Sequence, residues 1–287
     1  MANHPSDRPP PEADAGWRAL APTIAQRLVR ARLSAQALPD YPGPTPRSLE
    51  QGYAVQDHAI GLWARPVAGW KVGRVPDAWE RELRAERLVG PIFAGAVQHV
   101  PAGQSGVFPV IRGGFAAIEA EYVFRLGADA QPGKTDYDAR GAAALAEALC
   151  IGIELAGSPL PLINALGPPV VVSDYGNNTG LIVGPEIPGW RDLAPRELVC
   201  ESFVDGRSVG RGGGASLAGG PLAALAFALN GCAGRGHWLR AGMYVTTGAT
   251  TGIHDILAGQ RGRVEFGAYG ALECTAVPAE PQTEPGA

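Results

Sequence analysis

Ile118-Glu119-Ala120-Glu121-Tyr122-Val123-Phe124 is a stretch of β-branched and aromatic residues that carries two carboxylates. Its composition predicts a strand. Alternate residues of a strand share a face, so Glu119 and Glu121 point one way while Ile118, Ala120, Tyr122 and Phe124 point the other. Two neighbouring anions aimed at a protein interior repel each other, and a proton, a basic side chain or a metal ion relieves them. The alternative is a half-solvated antiparallel strand whose polar face is simply wet.

Two other segments bear on that choice. In Cys150-Ile151-Gly152-Ile153-Glu154-Leu155 the residues Ile151, Ile153 and Leu155 share one strand face, and Glu154 lies on the other as a third carboxylate. Gly69-Trp70-Lys71-Val72-Gly73 reads as a short strand with one lysine at its centre. A lysine is rarely buried without a partner, so Lys71 either reaches solvent or meets an acidic site. In the second case it can carry a proton or hold a substrate carboxylate.

Composition sets the outer limits. With 287 residues, 46% of them hydrophobic, the chain can bury one large core with at most a small appendage. A formal charge of −4 and the lack of any basic run give no electrostatic case for nucleic acid or an anionic membrane. No apolar stretch reaches the roughly eighteen residues a spanning helix needs, and the N-terminal residues lack the basic-then-apolar order of a signal peptide. A cytoplasmic protein is expected. Cys150, Cys200, Cys232 and Cys274 are far apart in apolar surroundings and read as buried hydrophobes. Forty glycines and twenty-six prolines point to a loop-rich β architecture.

Residues 1–15, rich in Pro and acidic groups, are expected to form a flexible tail. From Trp17 the spacing of Leu20, Ile24 and Leu28 predicts a helix, with Pro22 near its first turn. Ser48-Leu49-Glu50-Gln51 is a capping-box pattern opening a second helix to about Trp63, with Gln56 on its apolar stripe. Residues 76–90 carry alternating charges, as in a solvated helix or an ion-paired loop. Ala142 to Leu149 reads as a short helix, Val199 to Val209 as a hairpin with Asp205-Gly206 at its tip, and Gly220-Pro221 opens another helix. Asp174-Tyr175-Gly176-Asn177-Asn178-Thr179-Gly180 has the residues of a turn. The loop after the strand 243–247, Gly248-Ala249-Thr250-Thr251-Gly252, is either a plain turn or a wrap for a substrate carboxylate. Strands follow around 264–266 and 271–277, and residues 278–287 read as a frayed tail.

Taken in order, GWKVG (69–73), GPIF (90–93), IEAEYVF (118–124), IGIEL (151–155), DYGNNTG (174–180), GGPLAALAFALN (219–230) and LRAGMYVTTG (239–248) resemble the fumarylacetoacetate hydrolase superfamily. Within it they resemble the branch of 2-keto-4-pentenoate hydratases and 4-oxalocrotonate decarboxylases. The resemblance implies an α+β fold with a mixed β-roll catalytic domain over 69–277 and an N-terminal helical region over 16–68. It implies one Mg²⁺ or Mn²⁺ bound by Glu119, Glu121 and Glu154, with Lys71 as catalytic lysine. Asp174, Asn177, Thr247, Gly248 and Thr250 become candidate substrate contacts. Three carboxylates without His or thiolate suit a hard, oxygen-preferring cation.

The implied partner is a small 2-keto or 2-hydroxydienoic acid, and the implied assembly is a homo-oligomer. The implied reaction is hydration of a 2-hydroxyalka-2,4-dienoate, as in aromatic catabolism. Decarboxylation of a 2-keto-dioic acid, C–C hydrolysis of an acylpyruvate and a non-catalytic role are the alternatives. Extra positive charge from Arg74 or Arg112 would favour decarboxylation. Hydrolysis is disfavoured because the third carboxylate is a glutamate and no Thr-Ala-Arg-Asp type motif follows. The chain also departs from the hydratase pattern, with Leu88-Val89 in place of an acidic residue and Arg74-Val75-Pro76 in place of a Thr/Ser-rich segment.

Overall fold

A computed structural model of the protein describes residues 11–101 and 104–282, with side chains described from residue 16 onward. In chain order the elements are α1 (Pro11–Leu33), α2 (Leu49–Trp63), β1 (Val67–Arg74), α3 (Asp77–Leu83), β2 (Arg87–Phe93), β3 (Val97–His99), β4 (Ser105–Val110), β5 (Phe115–Leu126) and α4 (Ala139–Leu145). They continue with β6 (Ala146–Ser158), α5 (Pro168–Ser173), β7 (Asn178–Glu186), β8 (Val199–Val204), β9 (Arg207–Gly213), α6 (Gly220–Gly234), β10 (Tyr244–Thr246), β11 (His254–Asp255), β12 (Arg261–Glu265) and β13 (Ala271–Pro278). The fold is α+β, as expected.

Two mixed sheets form the body. The larger runs β2-β1-β10-β5-β6-β7-β3, with β11 also paired to β5, and the smaller runs β4-β13-β12-β8-β9. Strand β5 is central to the larger sheet, and its alternation is the one predicted. Ile118, Ala120, Tyr122 and Phe124 enter the main core with Ile151, Ile153 and Leu155 of β6, with Val264 and Leu272 of the smaller sheet and with Phe266 just past β12. Tyr122 stacks edge-on against Phe266 at 5.7 Å between centroids. The carboxylate face of β5 is not wet: Glu119 is 3% exposed, and Glu121 and Glu154 are fully buried. The antiparallel register sets Glu119 opposite Glu154 and Glu121 opposite Gly152, so the third carboxylate arrives beside the pair. Gly152 is required there because a Cβ would lie 2.4 Å from Cγ2 of Val123.

Helices α1 and α2 form a second core with Phe93, Leu160, Val170 and Tyr175. Ser48 caps α2 as its pattern predicts, its hydroxyl accepting from the Gln51 amide at 3.2 Å. Gln56 spends its amide on the carbonyls of Val89 and Val172, tying α2 to β2 and α5. The four cysteines are free and buried. Among the described residues no helix is long and apolar enough to cross a membrane.

Several local expectations are corrected. Helix α1 begins at Pro11, so 11–15 are helical rather than tail, and Pro22 sits inside the helix instead of near its start. Residues 1–10 of the expected tail and 283–287 at the other end lie outside the described residues. Residues 278–282 are tied down, since the Ala279 amide donates to Val110 O and the Gln282 amide to Leu33 O. The helix expected at 142–149 ends at Leu145, and Ala146–Leu149 already belong to β6, where pairing with β5 overrides alanine's helix preference. The charged segment 76–90 divides into α3 and the start of β2, while α5 and β4 were not anticipated.

Candidate metal centre

Glu119, Glu121 and Glu154 converge so that one carboxylate oxygen of each lies within 4.8 Å of the others, all buried. Neighbouring elements hold oxygens of Glu121 and Glu154. Glu121 Oε2 accepts from the amides of Thr247 (2.9 Å) and Gly248 (2.7 Å), the turn just past β10. Gly248 reaches this position with φ +114°, a conformation suited to glycine. Glu154 Oε1 accepts from Asn178 Nδ2 at 3.2 Å, and Oε2 from the Thr246 hydroxyl at 3.2 Å. Glu119 Oε1 and Glu121 Oε1, by contrast, are buried with no hydrogen-bond partner. A buried carboxylate oxygen without a partner is costly, and a cation in the triad relieves both at once.

Lys71, 3% exposed, completes the cluster, with Nζ 2.9 Å from Glu154 Oε1 and 3.3 Å from Asn177 Oδ1. Burial pushes its ammonium down, but Glu154 and Glu119 outweigh that and hold its pKa above the ordinary lysine value. Burial is also the main force on Glu119, which is pushed up to about 7 while Lys71 pulls it down and Glu154 pushes it further up. Glu121 is raised for the same first reason, then by Glu154 and Glu119. One ammonium against three carboxylates leaves two negative charges, which a divalent cation cancels. An all-oxygen set of this kind fits Mg²⁺ or Mn²⁺ better than a softer ion.

The cluster opens onto a cavity of about 940 Å³. Lys71, Glu119, Asn164 and Asn177 give it a polar side, Val72, Leu88, Val171, Leu217 and Ile253 an apolar one, and Arg74 and Arg87 also line it. Arg74 and Arg87 face each other across the antiparallel β1–β2 pair. Arg112 is not among the lining residues.

Of the candidate substrate contacts, Asn177, Thr247, Gly248 and Thr250 are on the cavity wall. The Thr247 and Thr250 hydroxyls, however, donate to the carbonyls of Tyr122 (2.9 Å) and Ala120 (2.8 Å), locking this turn onto β5. Asp174 does not line the cavity: it is fully buried against Arg32 (2.6 Å) and the Ser158 hydroxyl (2.5 Å). Asn178, Thr246 and Asn164 were missed from sequence, although Asn178 lies within DYGNNTG (174–180) and Thr246 within LRAGMYVTTG (239–248).

The loop between α5 and β7 is unusual. Tyr175, Gly176 and Asn177 all have positive φ, at 59°, 64° and 57°. For Tyr175 and Asn177 such a backbone costs about 1–3 kcal/mol each unless the surroundings fix it.

No family model matches the sequence, and no curated protein sequence matches it. Solved structures do. The 4-oxalocrotonate decarboxylase from Pseudomonas putida G7, complexed with calcium and acetate, aligns over 91% of this chain and 98% of its own at TM-score 0.74 and 22% identity. The same enzyme complexed with magnesium and adipate aligns over the same shares at 0.75 and 21%. The fumarylpyruvate hydrolase from Pseudomonas aeruginosa, in complex with Mn²⁺ and pyruvate, aligns over 75% of this chain and 91% of its own at 0.55 and 21%. These likenesses, all below 25% identity, show the fold: the chain has the fold of the fumarylacetoacetate hydrolase superfamily.

Proposed function

We propose that the protein is a divalent-metal-dependent lyase, with Mg²⁺ or Mn²⁺ held by Glu119, Glu121 and Glu154, that adds water to a 2-hydroxyalka-2,4-dienoate to give a 4-hydroxy-2-keto acid. The observation that carries this reading is the buried triad with two unpartnered carboxylate oxygens, set beside a single lysine at a cavity wall. When bound, the cation supplies a Lewis acid for the keto-acid end of the substrate. Lys71, whose ammonium Glu154 and Glu119 hold charged in the metal-free protein, is the proposed proton donor. It delivers a proton to the far carbon of the dienol while a site water takes the 2-hydroxyl proton and returns it to the lysine, giving the 2-keto-3-enoate. Water then adds across the remaining double bond, hydroxyl to C4 and hydrogen to C3. Val72, Leu88 and Leu217 take the alkyl tail. The same reading carries the expectation of a cytoplasmic homo-oligomer.

A second reading, decarboxylation of a 2-keto-dioic acid, is favoured by Arg74 and Arg87 in the cavity wall. Arg74 already pairs with Asp77 and Glu80, and Arg87 with Glu86, on the same wall, so the far carboxylate of a dianion would compete with these side chains for the two guanidiniums. The adipate of the magnesium-bound decarboxylase is such a dianion.

The experiment is absorbance decay of 2-hydroxypenta-2,4-dienoate with Mg²⁺, with Mn²⁺ and with chelator, with product mass recorded. Metal-dependent decay with the gain of one water supports hydration. No decay with either metal sinks it, and loss of carbon dioxide from the dicarboxylate then supports the second reading. An inactive Glu119→Gln or Lys71→Met variant separates an enzyme from a binding protein.

A further inference from the structure

We propose that Arg32, far away in sequence on α1, is a positioning residue for Lys71 and Glu154, acting by holding residues 175–177 in their left-handed conformation. The inference rests on the reading of Lys71 as the catalytic lysine. Arg32 is 8% exposed and makes six hydrogen bonds. Two go from Nε and Nη2 to the Asp174 carboxylate (2.6 and 2.9 Å), and a third goes from Nη2 to the Asp174 carbonyl (3.2 Å). Nη1 reaches the Asn178 carbonyl at 3.1 Å. One guanidinium therefore grips the residue before the left-handed run and the residue after it. It also lies 5.1 Å from the centre of the Tyr175 ring, whose hydroxyl is fixed on Ala59 O.

Backbone conformations of this kind persist only where their surroundings over-determine them. The grip by Arg32 is that constraint. What the held loop does is presented at the metal centre. A Cβ on Gly176 would lie 3.0 Å from Lys71 Cδ, so the loop is packed along the lysine stem. Asn177 Oδ1 meets Lys71 Nζ, and Asn178 Nδ2 meets Glu154 Oε1. Release of either end of the run moves two of the groups that set where the ammonium and the third carboxylate stand. Lysine cannot replace Arg32, because a point charge on a flexible stem cannot bind a carboxylate by two parallel bonds and reach a carbonyl four residues on.

The test is a double-mutant cycle in the full chain: Arg32→Gln, Asn177→Ala and both together. Circular dichroism and melting establish which variants fold. The Lys71 ammonium is followed by NMR of ¹⁵N-lysine protein, its signal assigned by its loss in Lys71→Met. We expect folded Arg32→Gln to shift or broaden that signal, and to lower kcat about 100-fold with KM changed less than about threefold, the size of effect a misplacement of about 1 Å produces. Because both residues act through one loop, Arg32→Gln in the Asn177→Ala background is expected to lower kcat by no more than about threefold further. If Arg32→Gln does not fold, Asp174→Asn, which weakens the same grip, takes its place in the cycle. A folded variant that leaves the Lys71 signal unmoved overturns the proposal, as do losses that multiply in the double variant. A wild-type protein inactive on the dienoate refutes the hydratase reading, while the Lys71 signal still decides the role of Arg32.

Discussion

Lys71 has two opposed effects at the carboxylate cluster. Its ammonium is 2.9 Å from Glu154 and supplies the proton in the proposed reaction, yet it also cancels charge that a metal ion needs. Lys71→Met is therefore expected to lower kcat by about 10²–10⁴-fold, the usual range for loss of a positioned acid–base group, while binding Mn²⁺ more tightly than wild type. Steady-state kinetics and Mn²⁺ titration followed by electron paramagnetic resonance check the two halves, and weaker Mn²⁺ binding would contradict the charge argument. Glu119 predicts a pH dependence. Burial lifts it from 4.5 to about 7 in the folded, metal-free protein. A carboxyl raised on folding contributes stability that is present in full below its unfolded pKa and is lost as pH rises through its folded value. In chelator, the melting temperature of wild type minus that of Glu119→Gln should thus fall between pH 5 and pH 8. A difference that stays constant across that window refutes the assignment.

At the scale of elements, close backbone approach matters more than propensity. Gly90 on β2 lies so near the Tyr175 carbonyl that a Cβ would stand 2.0 Å from it, whereas a Cβ on Gly61 in α2 would meet nothing within 4 Å. Gly90→Ala is expected to destabilise by about 1–3 kcal/mol or more, and Gly61→Ala to stabilise by about 0.5–1 kcal/mol. Denaturant unfolding measures both, and equal effects would remove the distinction. The same contrast explains what could be read from the sequence. Strands β5, β6 and β1 were legible because their alternation and flanking glycines are local signals, and α2 because Ser48 and Gln51 announce its start. The triad was legible for the same reason, since each glutamate sits on a patterned strand. The strand character of Ala146–Leu149 was not, because only pairing with β5 supplies it. Nor was Arg32, one arginine on a helix whose partners are 125 to 147 residues away. Asp174 read as a substrate contact for want of any sign of that arginine.

The whole molecule places its buried carboxylates and its main core on opposite faces of one strand. The main core lies between two sheets and is complete without a cation, while the triad lies on the opposite face of β5. Metal removal should therefore loosen the site without unfolding the chain, unlike a domain that folds only around its ion. Circular dichroism in chelator should keep the secondary structure seen with metal. Binding to the folded state alone still adds stability, about 2.7 kcal/mol at a hundredfold excess over Kd. For a chain of this length each kcal/mol corresponds to about 2–4 °C, so saturating Mn²⁺ at pH 8 should raise the melting temperature by about 5–10 °C. At pH 6 the rise should be smaller, because Glu119 then holds a proton that the cation must displace. Glu121→Gln should abolish the rise at both values while leaving the metal-free transition in place. If Mn²⁺ raises the melting temperature of Glu121→Gln as much as that of wild type, the ion is binding elsewhere, and the triad is not its site.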